Sequence, residues 1–578
     1  MSIWSLRRGD NDDNRMSPHG LGLRSILLSA FLEFNLKAPI SFLTLVLGPA
    51  LLVGIAPSVV ITYGRLLFYT SASLGYRPTI TLTLLAALVG LALWIGRPLL
   101  AMAIDNFWHL HYTLVFPIFV VIRELLRAAV EWLRDPSATA LQLDRGRRFG
   151  TVLAGVLFAG AGVALAIFVD LRLGLQMIDI RQVQPWVEIR AAMGNAAVFL
   201  GLSTAVASLF WIWRELSIKG PVLNWKPLDS VQELPTIRVA HVSDFHMVGE
   251  RYGFRMECGT YGPRGNLCVR STMRQLKAID ALTPLDRVLL SGDVTDAGTR
   301  SEWAEFVDLL RRNPNLGRRL SFVPGNHDVN VIDRTNPGRL DLPWSVGPAL
   351  RKLRVVLALD AAQGDRAHVV DHKTGALGPL LRDYLQHGER PNLLRSLAQR
   401  GSMRGRKEIA KVWQTIFPMV EPPQGDDKYG AILLNSNASS HLSLTNAIGI
   451  VRPSELRALK LILKNYPDRC WILMLHHQLV EYPVTSIAIR ERIGLALVNA
   501  PDILAAIAPY ASRILVIHGH RHKEWIGTCG NIVLCSAPSV TLGGMSKGKC
   551  CGSFYVHNLA FPDKGGLHLV SSDEVRLA

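Results

Sequence analysis

Cysteine is scarce in this 578-residue chain: there are seven, all between Cys258 and Cys551, and none forms a CxxC pair. That spacing excludes zinc-ribbon and other thiolate clusters. An odd count without paired spacing points to reduced thiols, the state kept in cytosol. Charge is missing altogether from four apolar runs, residues 39–62, 79–96, 149–169 and 192–213. Ion pathways through membranes are built on intramembrane charge, so its absence argues against a channel or transporter. No small-residue cleavage site follows the first run, and the segment before it is long and polar, which speaks against a secretory signal peptide. Internal repeats and low-complexity tracts are absent as well.

What remains is a chain of two characters. Mean hydropathy is +0.22 with 49% hydrophobic residues, high for a soluble protein, and the apolar residues crowd into the first 215 positions. A hydrocarbon core takes about 20 apolar residues to cross, so the four runs are expected to be transmembrane helices. The expected organisation is a cytoplasmic N-terminal segment (1–38), a membrane region (39–213), a proline-rich linker (214–235) and a soluble domain (236–578). Within that domain residues 330–430, with Arg/Gly patches such as QRGSMRGRK, read as an insertion or cap. Residues 1–235 hold 20 Lys and Arg against 15 Asp and Glu, so most of the formal net charge of +17 falls on the soluble part. Such a charge favours anionic partners.

Basic residues beside spans stay on the cytoplasmic side. With the N-terminus, second loop and exit inside, the two sides carry 15 and 5 Lys and Arg, which predicts an integral protein of the inner or plasma membrane with its soluble domain in the cytoplasm. The short apolar stretch 107–122 is read as interfacial or re-entrant; were it to cross, the soluble domain would face outward.

Five short β-like runs each end in candidate ligands. TIRVAHVS leads to Asp244 and His246, DRVLLS to Gly292-Asp293, and RLSFVP to Gly325-Asn326-His327-Asp328. WILML leads to His476-His477 and RILVI to His518-Gly519-His520-Arg521-His522. Helical patterns fill the intervals, as at 271–282, at 301–312 behind a Thr299/Glu302 capping box, and at 454–464 and 502–510. Alternating strands and helices predict an α/β domain, in which loops at the carboxyl ends of strands converge on one site. Carboxylate, amide oxygen and imidazole without thiolate suit two hard or borderline divalent ions: manganese, iron or zinc. Two such ions need a shared anionic ligand, and Asp293, in the turn that Gly292 permits, is the choice for that bridge. His476 directly follows its strand and is preferred to His477 as ligand. His518 is assigned a supporting role, and His241 and Cys550-Cys551 are read as core or surface residues.

In this order the motifs Asp244-x-His246, Gly292-Asp293, Gly325-Asn326-His327-Asp328, His476-His477 and Gly519-His520-x-His522 resemble the calcineurin-like metallophosphoesterase superfamily. SGDVTDAGTRSEW, FVPGNHD, LLNSNA and HGHRHKEW are most similar to its class III cyclic-nucleotide phosphodiesterase branch. The resemblance covers about residues 236–560 and departs from the family at Gln478, where a proline commonly follows the paired histidines. It implies two packed mixed β-sheets flanked by helices, a four-layer αββα fold. It further implies one metal on Asp244, His246, Asp293 and His522 and a second on Asp293, Asn326, His476 and His520. His327 would be the catalytic acid, its imidazole oriented by Asp328, and metal-bound hydroxide would attack phosphorus in line.

The expected function is a membrane-anchored phosphohydrolase acting on a phosphodiester or related phosphate ester. Its partners would be a nucleotide or lipid-linked substrate and the bilayer; nucleic acid is not expected. A lipid-linked nucleotide pyrophosphohydrolase, and a membrane sensor or scaffold with a structural metal site, are the alternatives.

Overall fold

The computed structural model describes residues 115–133, 139–173, 185–217, 222–227, 236–249, 266–330, 345–423, 429–437, 447–482, 497–541, 545–546, 549–550, 552–562 and 566–577, with Tyr69, Thr83 and Gly90. The spans predicted at 39–62 and 79–96 lie outside the described residues, apart from Thr83 and Gly90. The chain divides into two compact units, described separately.

The first unit contains the helices α1 (Phe116–Trp132), α2 (Ala140–Leu173) and α3 (Pro185–Leu216). Pro117 sits in the first turn of α1, where a missing N–H costs no intrahelical bond. Two stretches, Leu141–Leu173 and Arg190–Leu216, are long and apolar enough to cross a membrane. They approach closely at Gly162 and Gly201, where a Cβ on either would lie 2.5 Å from the other's carbonyl oxygen. Large side chains elsewhere on them, among them Leu157, Ile167, Phe168, Val206 and Leu209, are more than half exposed. Glu124 and Arg127 are buried in this unit, Arg127 pairing with Glu124 at 2.9 Å and with Glu215.

The second unit is built on two mixed sheets. The smaller runs in the order β14 (His568–Arg576), β13 (Ser553–Ala560), β2 (Thr236–Val242), β3 (Arg287–Leu290), β4 (Leu320–Phe322), with β2, β3 and β4 parallel. The larger sheet centres on the parallel strands β8 (Tyr429–Leu433), β9 (Cys470–Met474), β10 (Ile514–His518) and β12 (Ile532–Ser536). The strands β1 (Val222–Asn224) and β11 (Trp525–Cys529) extend one edge antiparallel. On the other edge lie β7 (Met419–Glu421), β5 (His368–Val370) and β6 (Leu377–Leu380), also antiparallel. The stretch expected as a cap therefore contributes three strands to the sheet edge itself.

Alternation along the central strands makes the layers, because successive side chains point to opposite faces. Cys470, Ile472 and Met474 join the cluster shared with the smaller sheet, together with Leu515 and Ile517. Trp471, Leu473, Ile514 and Val516 pack instead with Leu459, Ile462 and Ile503 of the helices α11 (Pro453–Asn465) and α12 (Ala500–Ile507). On the other side of the domain lie α4 (Leu267–Leu282), α5 (Arg300–Arg312), α6 (Asn326–Val329) and α7 (Gly347–Gln363), followed by α8 (Leu381–Gln386), α9 (Arg390–Arg400) and α10 (Met403–Thr415). In the capping box that starts α5, the Glu302 carboxylate accepts from the Thr299 N–H at 2.9 Å. Glu421 of β7, fully buried, accepts from Arg287 of β3 and from Ser321 Oγ of β4 at 2.7 Å, tying one sheet to the other.

The expectation of seven reduced thiols is corrected: Cys268 is disulfide-bonded. Cys470, Cys529 and Cys535 are buried in the core as thiols, outside any disulfide.

Candidate metal centre

All five ligand-bearing runs are strands, and all end on the same site. The loop after β2 is tied to the loop after β3 by Asp244 N–H donating to Gly292 O (3.1 Å) and His246 N–H to Asp293 O (3.0 Å). The loop after β10 joins the loop after β9 through Gly519 N–H and His476 O at 3.1 Å. Among the described residues, the non-glycine residues with positive φ are Asp244, His246, Asp293, His520 and His522, all candidate ligands. Such a conformation costs about 1–3 kcal/mol per residue and persists only where its surroundings fix it. It turns each side chain back over the strand ends.

Two constellations result. In the first, His522 Nε2 lies 3.2 Å from Asp244 Oδ1, and His246 Nε2 lies 3.4 Å from His522 Nε2 and 3.7 Å from Asp293 Oδ2. In the second, His476 Nε2 lies 3.3 Å from Asp293 Oδ2, 3.1 Å from Asn326 Oδ1 and 3.1 Å from His520 Nδ1. Asp293 Oδ2 faces both groups, while its Oδ1 accepts from the His327 N–H at 2.9 Å. The donor set fits divalent cations on a direct observation: Asp244 Oδ1 is buried and no hydrogen bond reaches it. A carboxylate oxygen so placed carries a desolvation cost that a cation would offset.

Electrostatics agree. Burial by itself would raise Asp293, but the imidazoles of His476, His327 and His246 outweigh it and hold the carboxyl well below its ordinary range. Burial would likewise lower His476, yet the Asp293 carboxylate lifts it to about 9. Burial and the neighbouring His477 keep His520 well below the usual imidazole value. His476 Nδ1 lies 2.8 Å from the Ser291 carbonyl, which can only accept, so Nδ1 keeps its proton and Nε2 is the nitrogen whose lone pair becomes available when the ring loses its second proton. Gly292 makes this ring position possible, since at φ +109° its Cα passes so close that a Cβ would lie 2.3 Å from His476 Nδ1.

His477 points elsewhere, its Nδ1 2.8 Å from Ser436 Oγ. His518 is buried with its ring stacked near Tyr482, and burial lowers it to about 4. His241 bridges Ser291 Oγ (3.0 Å) and His557 (3.3 Å) in the core.

The expectation that Asp328 orients the His327 imidazole is corrected. Its carboxylate accepts from Thr295 N–H (2.9 Å), Thr295 Oγ (2.6 Å) and Gly325 N–H (2.8 Å), so it fixes the turn that carries Asp293. Burial, with Asp293 nearby, raises it to about 6. His327 Nδ1 donates instead to the Asp296 carbonyl at 2.8 Å. Asp296 is the residue that sequence reasoning missed. Its buried carboxylate lies 3.5 Å from His246 Nδ1, where it can hold the tautomer that presents Nε2. The signal available was its spacing, three residues after Asp293.

Residues 237–524 match the family model described as calcineurin-like phosphoesterase. A probable cyclic nucleotide phosphodiesterase of Coxiella burnetii is 29% identical over 102 residues, 18% of this chain and 36% of that protein. The chain thus matches about a third of that relative's length. A dimetal phosphatase from Danio rerio aligns in structure with 14% identity and a TM-score of 0.32, over 60% of this chain and all of the other.

Proposed function

We propose that this chain, whose residues 237–524 are a calcineurin-like metallophosphoesterase domain, is a membrane-anchored phosphohydrolase of phosphodiester or related phosphate ester bonds. The observation that carries the reading is the single oxygen Asp293 Oδ2 facing two separate ligand groups. Asp244, His246, Asp293 and His522 would hold one ion; Asp293, Asn326, His476 and His520 the other. Two divalent ions in such a site supply Lewis-acid polarisation of phosphoryl oxygens and a water that ionises near neutral pH.

The chain's own groups do the rest. Asp293, with its carboxyl held anionic, would balance the charge of both ions. Water gives one proton to solvent as its oxygen bonds to phosphorus and the bond from phosphorus to the ester oxygen breaks, and that ester oxygen leaves with a proton. His327 Nδ1 is committed to the Asp296 carbonyl, so Nε2 is the atom that delivers the proton. Asp328 keeps the Asp293 turn rigid.

Two apolar helices of 33 and 27 residues with outward-facing side chains support the anchor. The Lys and Arg count favours a cytoplasmic domain, whereas the Cys268 disulfide suits an oxidising compartment. A reporter fused after Ala578 decides the side. The likeness to a cyclic nucleotide phosphodiesterase and the anchor suggest cyclic nucleotides and lipid-linked phosphates as the substrate classes to test. Purified protein with manganese should hydrolyse bis(nitrophenyl) phosphate, and Asp293→Ala should abolish this. Equal turnover by the two proteins would sink the proposal.

A further inference from the structure

The basic stretch that includes QRGSMRGRK has no part in the metal centre. From Arg390 to Lys411 the sequence holds seven Lys or Arg and a single acid, Glu408. The structure shapes it into a helical hairpin, α9 and α10. Gly401 at φ +65° closes α9, and Ser402 Oγ caps α10 by accepting from Gly405 N–H at 3.4 Å. Gly405 lets the helices touch, for a Cβ there would lie 2.6 Å from the Leu393 carbonyl oxygen. Leu394, Leu397, Ile409, Val412 and Trp413 bury the inner faces in the domain core, so the outer face is held rigid.

That outer face sorts by charge. Glu408 is occupied by Arg390 at 2.8 Å. Arg395, Arg400, Arg404, Lys407 and Lys411 are exposed, and none has an acidic partner among the described residues. Arg404, Lys407 and Lys411 follow one another at helical spacing, which aligns them on one stripe. At the tip of the hairpin Met403 is 64% exposed.

We propose that this face docks on the anionic headgroups of the bilayer that holds the chain, with Met403 entering the headgroup layer. The inference rests on reading the two apolar helices as spans, which keep the hairpin within reach of lipid at high effective concentration. Basic side chains near an anionic surface are each attracted to it, and an apolar side chain among them adds burial. A nucleic acid is the poorer fit: residues 390–411 contain no Phe, Tyr or Trp on which a base could stack, and Trp413 beside them is 2% exposed.

The test uses the full chain in nanodiscs of phosphatidylcholine, with or without phosphatidylglycerol, and reads the rate of lysine acetylation by mass spectrometry. In the anionic discs Lys407 and Lys411 should react at least about threefold more slowly than in neutral discs, and high salt should restore the rate. Lys277 and Lys464, exposed elsewhere on the domain, should not change relative to each other. Arg395→Glu/Arg400→Glu/Arg404→Glu, which alters exposed positions and keeps both reporter lysines, should remove the protection while turnover of soluble substrate persists. Equal rates in both discs would overturn the proposal, as would protection by added RNA and not by anionic lipid. Should the chain fail to enter neutral discs, the reading of spans fails, and phosphatidylglycerol vesicles added to the same protein still decide the docking.

Discussion

Substituting Gly292 by alanine tests the centre at its tightest point. The added Cβ would lie 2.3 Å from His476 Nδ1 and 3.0 Å from His476 Cβ. The ring has nowhere to retreat: it is fully buried, with Nδ1 held by the Ser291 carbonyl and Nε2 3.1 Å from both Asn326 and His520. Backbone in the positive-φ region costs an alanine about 1–2 kcal/mol, and overpacking a filled core adds about 1–3 kcal/mol. Stability should therefore fall by about 2–5 kcal/mol, read as a lower thermal midpoint without metal. Relief of the clash moves the imidazole by about 1 Å, and disturbing the parts that orient a ligand weakens metal binding by about 10–100-fold. Manganese calorimetry on wild type should show two tight sites and on Gly292→Ala one, because the atoms nearest the added Cβ all belong to His476 and not to His246 or His522. Two tight sites with undiminished phosphodiesterase turnover in Gly292→Ala would refute the placement of His476 as ligand.

Replacing Asp296 by asparagine should weaken one metal site by about 10–100-fold through loss of the carboxylate beside His246; unchanged manganese affinity in calorimetry would contradict that role. Glu421→Ala would strand Arg287 in the seam between the sheets and should cost about 3–5 kcal/mol, measured by urea unfolding. Metal binding should also be pH-dependent. With His476 lifted to about 9 by Asp293, the metal-free site holds a proton below that pH, and a protonated imidazole cannot ligate. Affinity should rise with pH up to about 9 and level off above it, with proton uptake by the buffer during titration at neutral pH. A flat profile from pH 6 to 9 would show that His476 does not carry that proton. His327→Ala should retain both metals and lower kcat by about 10²–10⁴-fold, most for poor leaving groups.

The candidate metal centre was largely legible in the sequence because its candidate ligands sit at fixed offsets from strand ends, a local relation. DRVLLS followed by Gly-Asp, or RILVI followed by His-Gly-His, states both the strand and the group at its end. Long uncharged runs likewise announce apolar helices of spanning length. Tertiary structure decided what depends on approach between distant segments. The preference for His476 over His477 follows from its place directly after the strand, but the position of its ring depends on a carbonyl at Ser291 and a glycine at 292, both 185 or so positions away. The transfer of Asp328 from imidazole to main chain, and the arrival of Asp296 beside His246, depend on turn geometry that residue spacing does not encode. Residues 330–430 carried no clear period because their short strands lie at a sheet edge between helices, so neither repeat of side-chain direction runs long enough to show. The sequence alone thus determined which residues could bind cations and in what order along the chain. Only the fold decided which oxygen two constellations share, since Asp293 Oδ2 gains that position from contacts with strands on both sheets.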